Sequence, residues 1–332
     1  MFRLFDIKGQ FSLFLNEWQS SDAFINARTS GSTGNPKEIR LSKKMMTASA
    51  RATNRFFGIT ETSVLVCPLS ADYIAGKMML VRAIEAHCTL YAIEPSNNIF
   101  ISDIFHSIPH ITLMPVVPSQ LLSLREVSVP IKKIDNLIVG GAPLDNSLEK
   151  MLLASGINGY VTYGMTETCS HVALRKLGAD CYTALPDISF MKDCDSRLII
   201  EWRIDGDVIR LLTNDVVELL NDRCFRWLGR FDNVINSGGI KIFPEELEER
   251  LSNYFDFPFV VCREKNEKWG EIPVLLVAGK SVFSDAIIDS IMKDVLPQYH
   301  IPKKIYRIEM IPIARNGKIN RDECNRIIET SC

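Results

Sequence analysis

The chain has 332 residues, 46% of them hydrophobic and 23% charged, which excludes a disordered or fibrous protein and predicts core enough for two or more domains. Lys and Arg total 38 against 40 Asp and Glu, a formal charge of −2, so no global field draws the chain to nucleic acid or to an anionic membrane. No apolar run reaches the roughly 18 residues that span a bilayer, the start MFRLFDIKGQF lacks a signal peptide's apolar stretch, and nine scattered cysteines with no C-x-x-C pair predict free thiols in the cytoplasm.

In chain order, residues 1–28 form a lead-in whose Phe11, Phe14 and Trp18 supply apolar surface for docking but too little chain for a domain. From 22 to 163, apolar β-rich runs (Phe24–Ala27, Ser63–Cys67, Thr89–Ile93, Ile111–Met114, Asn136–Val139, Tyr160–Tyr163) alternate with helical segments, which predicts a mostly parallel sheet with flanking helices. After Gly178 short strands (Leu198–Trp202, Asp207–Leu212, Val216–Leu220, Cys224–Leu228) between Asp, Asn and Gly predict a small antiparallel β subdomain. Beyond Asp232 come a Gly238-Gly239 turn, a helix opening at Pro244, strands at 259–263 and 273–277, a helix at 284–296, a strand at 304–309 and a last helix. These predict an α/β domain over 1–178, a β subdomain over 179–231, and a small mobile α+β domain over 232–332.

The stretch TSGSTGNPK, Thr29 to Lys37, carries the clearest chemical signal. Gly31 and Gly34 let the backbone approach an anion, Thr29, Ser30, Ser32 and Thr33 offer hydroxyl donors, and Lys37 adds a charge. It is not a Walker A loop, which needs four residues between its first glycine and a Gly-Lys-Ser/Thr triplet. A flexible Ser/Gly linker is the bland alternative, but the loop lies between a strand and a helix, and phosphate binding is the better reading. At the carboxyl ends of parallel strands, where ligands bind in such sheets, it joins GGAP (Gly140, Gly141, Ala142, Pro143) and YGMTET (Tyr163, Gly164, Met165, Thr166, Glu167, Thr168).

Those segments, with TNDVVEL at 213–219, GRFDNVINSGGIKIFPEELE at 229–248 and IPIARNGKINR at 311–321, resemble in order the signatures of the adenylate-forming superfamily of acyl-CoA synthetases, adenylation domains and luciferase. The resemblance covers the chain from about Thr29 onward. It implies ATP, Mg²⁺ and coenzyme A as cofactor and co-substrates. Tyr163 would stack on adenine against the GGAP backbone, with Gly164 and Met165 beside it. Thr166 would bind the α-phosphate, Glu167 the metal, and Asp215 and Arg230 the ribose. Lys318 would be the mobile catalytic lysine, Asp232 the hinge, and Gly238 and Gly239 the segment facing the pantetheine arm. Taken alone, Asp215 could be a turn residue and Lys318 a solvated loop cation. The usual Thr-Gly-Asp reads Thr213-Asn214-Asp215 here, and Asn is the next best residue to Gly for a left-handed backbone.

Three strings, MPVVPSQL at 114–121, LIVGGAPLD at 137–145 and TETCSHVAL at 166–174, resemble the o-succinylbenzoate:CoA ligases of menaquinone biosynthesis. That resemblance implies a small acid with a second carboxylate, an acyl pocket between 72–79 and 168–172, and Lys77 and His171 as its polar groups; each is equally a structural residue. Relatives of this kind place more than a hundred residues ahead of the phosphate loop and this sequence has 28, which predicts a more open pocket or one completed by a second copy in a homo-oligomer. Other acyl-CoA ligases, a carrier-protein-directed adenylation enzyme and a degenerate nucleotide-binding protein are the alternatives.

Overall fold

The computed structural model describes residues 1–28, 38–125, 133–279, 283–314 and 319–331. The chain divides into two compact units, residues 1–190, 200–211 and 220–225 forming the first and 191–199, 212–219 and 226–332 the second. The elements begin β1 (Arg3–Phe5), α1 (Ser12–Gln19), β2 (Phe24–Arg28), β3 (Glu38–Ser42), α2 (Lys43–Phe57), β4 (Val64–Cys67), α3 (Ile74–Glu85) and β5 (Thr89–Ala92). They continue α4 (Asp103–Ser107), β6 (Met114–Val116), α5 (Pro118–Leu121), β7 (Leu137–Val139), α6 (Asn146–Ala154) and β8 (Gly159–Gly164). Six further strands follow: β9 (His171–Lys176), β10 (Tyr182–Ala184), β11 (Ile188–Lys192), β12 (Arg197–Ile204), β13 (Asp207–Asn221) and β14 (Cys224–Arg230).

β1, β5 and β4 pair in parallel, and the Val66 amide donates to Leu113 O at 3.1 Å just before β6, from where β6, β7 and β8 continue in parallel. The predicted α/β sheet is present, and its strands are short apolar runs such as Leu65–Cys67 and Leu137–Val139, all buried, as strands covered on both faces must be. Helix α2 shows why the local sequence folds as it does. Ser42 caps its start, accepting from the Met45 amide at 3.1 Å, and Gly58 ends it at φ 62°, a conformation that glycine adopts without strain.

After β8 the chain reverses into β9, and a nine-stranded sheet runs β11-β12-β13-β14-β10-β9-β8-β7-β6. The predicted antiparallel region is thus an extension of the parallel one. Two of its predicted strands, 207–212 and 216–220, are a single strand of 15 residues. Thr213, Val216 and Val217 are buried, and their β-branched side chains carry the pleat through Asn214 and Asp215. Asn214 is not left-handed, since among the described residues only His87, Cys169, Asp187, Ser196 and Asp205 reach positive φ without being glycine. The backbone reason for an asparagine there therefore fails. Phe24–Ala27 also departs from expectation: among the described residues β2 pairs only with β3, in an antiparallel two-stranded ribbon from Phe24↔Ser42 to Arg28↔Glu38.

The second unit adds β15 (Ile235–Ser237), β16 (Ile240–Ile242), α7 (Pro244–Leu251), β17 (Phe259–Asn266), β18 (Gly270–Ala278), α8 (Asp285–Val295), β19 (Ile305–Ile308) and α9 (Arg321–Ser331). Its sheet pairs β16-β15-β18-β17, with β19 parallel to β18. Ile235, Leu247, Leu251, Val261, Leu275, Ile288 and Met292 make one of its cores.

Candidate active site

Thr29, Ser30, Gly31, Ser32, Thr33, Gly34 and Lys37 lie outside the described residues, as does Lys318; in the sequence the first group falls between β2 and β3, and Lys318 precedes the described Ile319 and α9.

β7 and β8 are parallel neighbours in the register Val139↔Val161, so GGAP and YGMTE leave the sheet side by side at its carboxyl edge. Gly140 sits so close to Thr162 that a Cβ there would lie 2.3 Å from its hydroxyl oxygen, and Gly141 has φ +84°. Gly141, Ala142 and Pro143 are exposed, leaving a flat backbone wall. Tyr163, half-buried, meets Phe225 edge-on at 5.0 Å and Tyr182 at 5.7 Å, so its ring is fixed by packing.

Beyond Tyr163 the register of β8 and β9 shifts, and Gly164 is where the strands nearly touch: a Cβ would lie 2.2 Å from Ser170 O and 2.6 Å from His171 Cα. Thr166, Glu167 and Thr168 then form a 3₁₀ turn. The buried Thr168 hydroxyl accepts from the Met165 amide at 2.9 Å and donates to Ser170 O at 2.7 Å. Cys169 closes the turn at φ 62°, a strained conformation of the kind that the surroundings must enforce. The result presents Thr166 half-exposed and the Glu167 carboxylate to solvent.

His171, buried at the start of β9, lies 3.2 Å through Nε2 from Thr53 Oγ1 and 3.3 Å through Nδ1 from Ser170 Oγ. Burial, with the Arg82 charge adding to it, holds its pKa well below the ordinary value, so it is neutral at physiological pH. Arg82 is the residue that the sequence reading missed. It is 1% exposed, donates to Ser170 Oγ at 2.7 Å, has an Nε without a partner, and among the described residues pairs with no carboxylate. Burial brings its pKa down to about 10, which leaves it charged at pH 7. A buried cation without a counter-ion is costly unless something else supplies the negative charge.

Lys77, in contrast, has a partner: its ammonium is 3.6 Å from Glu17 and 4.7 Å from the Phe14 ring centre, both on α1. In the second unit Asp215, Arg230 and Asp232 come together. Asp215 Oδ1 accepts from the Trp227 indole at 3.1 Å and stands 3.6 Å from Arg230, whose other nitrogen is 3.9 Å from Asp232. Gly238 and Gly239 turn the β15–β16 hairpin at φ 58° and 87°, with the Trp269 ring against Gly238.

Among the described residues no three His, Cys, Asp or Glu converge as a metal site. One exposed carboxylate, Glu167, suits Mg²⁺, which takes few protein ligands and completes its shell with phosphate oxygens and water.

GGAP and the packed Tyr163 thus leave neighbouring parallel strands at the carboxyl edge of the sheet, and the AMP-binding enzyme family model matches residues 16–202. The chain belongs to that family. It is similar to a 2-succinylbenzoate–CoA ligase of Listeria monocytogenes serotype 4b, 26% identical over 93% of this chain and 71% of the relative. Among solved structures it is similar to an acyl-CoA synthetase (AMP-forming)/AMP-acid ligase II-like protein from Dyadobacter fermentans, with 29% identity, a TM-score of 0.63 and coverage of 96% of this chain and 94% of that one. It shares the fold of an o-succinylbenzoate coenzyme A synthetase from Bacillus subtilis solved with ATP and magnesium, with 23% identity, a TM-score of 0.75 and coverage of 90% and 69%.

Proposed function

We propose that the chain is an AMP-forming acid:CoA ligase that adenylates o-succinylbenzoate and passes the acyl group to coenzyme A, in menaquinone biosynthesis. The observation that carries the acid's identity is Arg82. A buried guanidinium without a carboxylate among the described residues, held at Ser170 beside the turn that bears Thr166 and Glu167, suits an acid that brings a second carboxylate of its own. The Listeria relative's name points to the same acid.

In the first half-reaction a carboxylate oxygen attacks the α-phosphorus of ATP and pyrophosphate leaves; in the second, the CoA thiolate attacks the acyl carbon and AMP leaves. The wall of Gly140 to Pro143 and Tyr163 hold adenine, Asp215 and Arg230 the ribose, Thr166 the α-phosphate, and residues 29–37 the pyrophosphate. Lys318 bridges the two anions that the attack brings together. Glu167 would hold magnesium, which supplies charge neutralisation to the phosphates when bound. Asp232 is the pivot between a domain of residues 1–231 and one of 232–332, and Gly238 and Gly239 face the pantetheine arm. A cytoplasmic location fits these substrates, and a second copy that completes the acyl pocket would be seen as a dimer in sedimentation.

ATP–pyrophosphate exchange over a panel of acids tests the reading. Exchange with o-succinylbenzoate, and AMP plus a thioester once CoA is added, are expected. Exchange with benzoate or a fatty acid instead would overturn the acid assignment, and ADP as product would overturn the ligase.

A further inference from the structure

Asn214 stands where the resemblance places glycine, and its backbone does not need an asparagine: it is an ordinary residue inside β13, with no positive φ. Its side chain gives the reason. The Asn214 amide donates to Asp232 Oδ2, the same oxygen that Arg230 approaches to 3.9 Å. Asp232 belongs to the short turn Phe231–Asn233 between β14 and β15 and is otherwise open to water, its side chain 62% exposed. The residue after it is tied as well, the Asn233 amide donating to Glu245 Oε1, and Glu245 pairs with Arg321 at 3.5 Å. A glycine at 214 has no side-chain donor, so the pattern of the superfamily lacks this tether.

We propose that Asn214 is a positioning residue, a latch that holds the turn at Asp232 in the arrangement seen here and slows its reorientation between the two half-reactions. The inference rests on the reading of Asp232 as the pivot. Asn214 is fixed in a strand, whereas rotation at Asp232 carries its carboxylate away, so each passage out of this arrangement breaks the bond. One hydrogen bond to a carboxylate in water sets the scale at about 3- to 10-fold in the rate of passage. Its exposure suits a catch that opens in every turnover, where a buried ion pair would not release.

The full-length protein tests this with Asn214→Ala, which removes the amide and keeps a Cβ in the strand, and Asn214→Asp, which sets like charges face to face. Both are expected to speed amide exchange at 231–236 about 3- to 10-fold, with the Asp variant the faster, while the amides of β13 away from 214 keep their protection. Pyrophosphate exchange, which needs no rotation, stays within about 2-fold, and overall ligation with CoA rises about 3-fold or more. Unchanged amide exchange at 231–236 in both variants would overturn the latch. Pyrophosphate exchange that falls as much as ligation would also overturn it and assign Asn214 to the nucleotide site. A wild-type protein that shows no pyrophosphate exchange with any acid would sink the ligase reading instead, and amide exchange alone would then decide the latch.

Discussion

Around Ser170 the polar groups are sealed from water, whereas around Asp232 groups of the same kinds stand in it. Arg82 is 1% exposed and has no carboxylate partner among the described residues; the Arg230 side chain is 38% exposed and faces two. The difference follows from what each place must do. In a low-dielectric interior a charge acts almost unscreened, so on the proposed reading the Arg82 guanidinium would favour a dianion. At the surface each pair is weak and breaks easily, which would suit the proposed pivot at Asp232. On the proposed function, the buried polarity would serve recognition and the exposed polarity motion.

The comparison breaks first at Arg82. Arg82→Met keeps bulk and removes charge, and should raise the KM for a two-carboxylate acid by about 10- to 150-fold, the worth of a charged hydrogen bond, with little effect on benzoate. Equal effects in pyrophosphate exchange would make Arg82 a structural cation. Gly164→Ala comes next, because the new methyl meets the backbone of Ser170 and His171 rather than a side chain that can yield. Overpacking of this kind costs about 1–3 kcal/mol, visible as a lower Tm together with a slower adenylation step; a variant as stable as wild type would mean that β8 and β9 separate at little cost.

His171 sharpens the sealed side through pH. Its folded-state pKa is depressed, so below about pH 6.5 the unfolded chain takes up a proton that the folded one refuses, and stability falls as pH drops. The slope from this group approaches about 1.4 kcal/mol per pH unit. His171→Gln should remove that share from urea-denaturation curves recorded between pH 6.5 and 5, and identical slopes would refute it. The smallest effect belongs to the exposed side: Trp227→Phe removes one neutral donor from Asp215, worth about 1 kcal/mol or roughly 5-fold in the KM for ATP, and an unchanged KM would mean that the indole does not orient that carboxylate.

Much of this was legible in the sequence. Buried parallel strands announce themselves as short apolar runs, and the runs Ser63–Cys67 and Asn136–Val139 predicted from that pattern contain β4 and β7. GGAP and YGMTE were assigned to the carboxyl edge of the sheet, where the paired β7 and β8 put them. Arg82 escaped because an arginine near a helix end reads as solvated. The signal was there, since IAGKMMLVRAIE is apolar nearly all round and a helix of that kind is buried, its arginine included. Asn214 misled differently: a substitution that looked like a backbone preference is a side-chain contact 18 residues along the chain, which no local rule reports. Cys169 gave no warning at all, because its left-handed backbone is imposed by the turn around Thr168 rather than favoured by its own side chain.

The two-stranded ribbon of β2 and β3 has a thermodynamic consequence. Two paired strands alone are barely stable, and this ribbon has Ile25, Ala27 and Leu41 to anchor one face and no third strand among the described residues. A ligand that binds only the paired form would shift any fraying of the ribbon towards pairing by mass action. If the segment between these strands holds phosphate as proposed, the ribbon would close further as nucleotide is added, and amide exchange at Asn26 and Arg28, followed against ATP, would trace that closing as a binding isotherm.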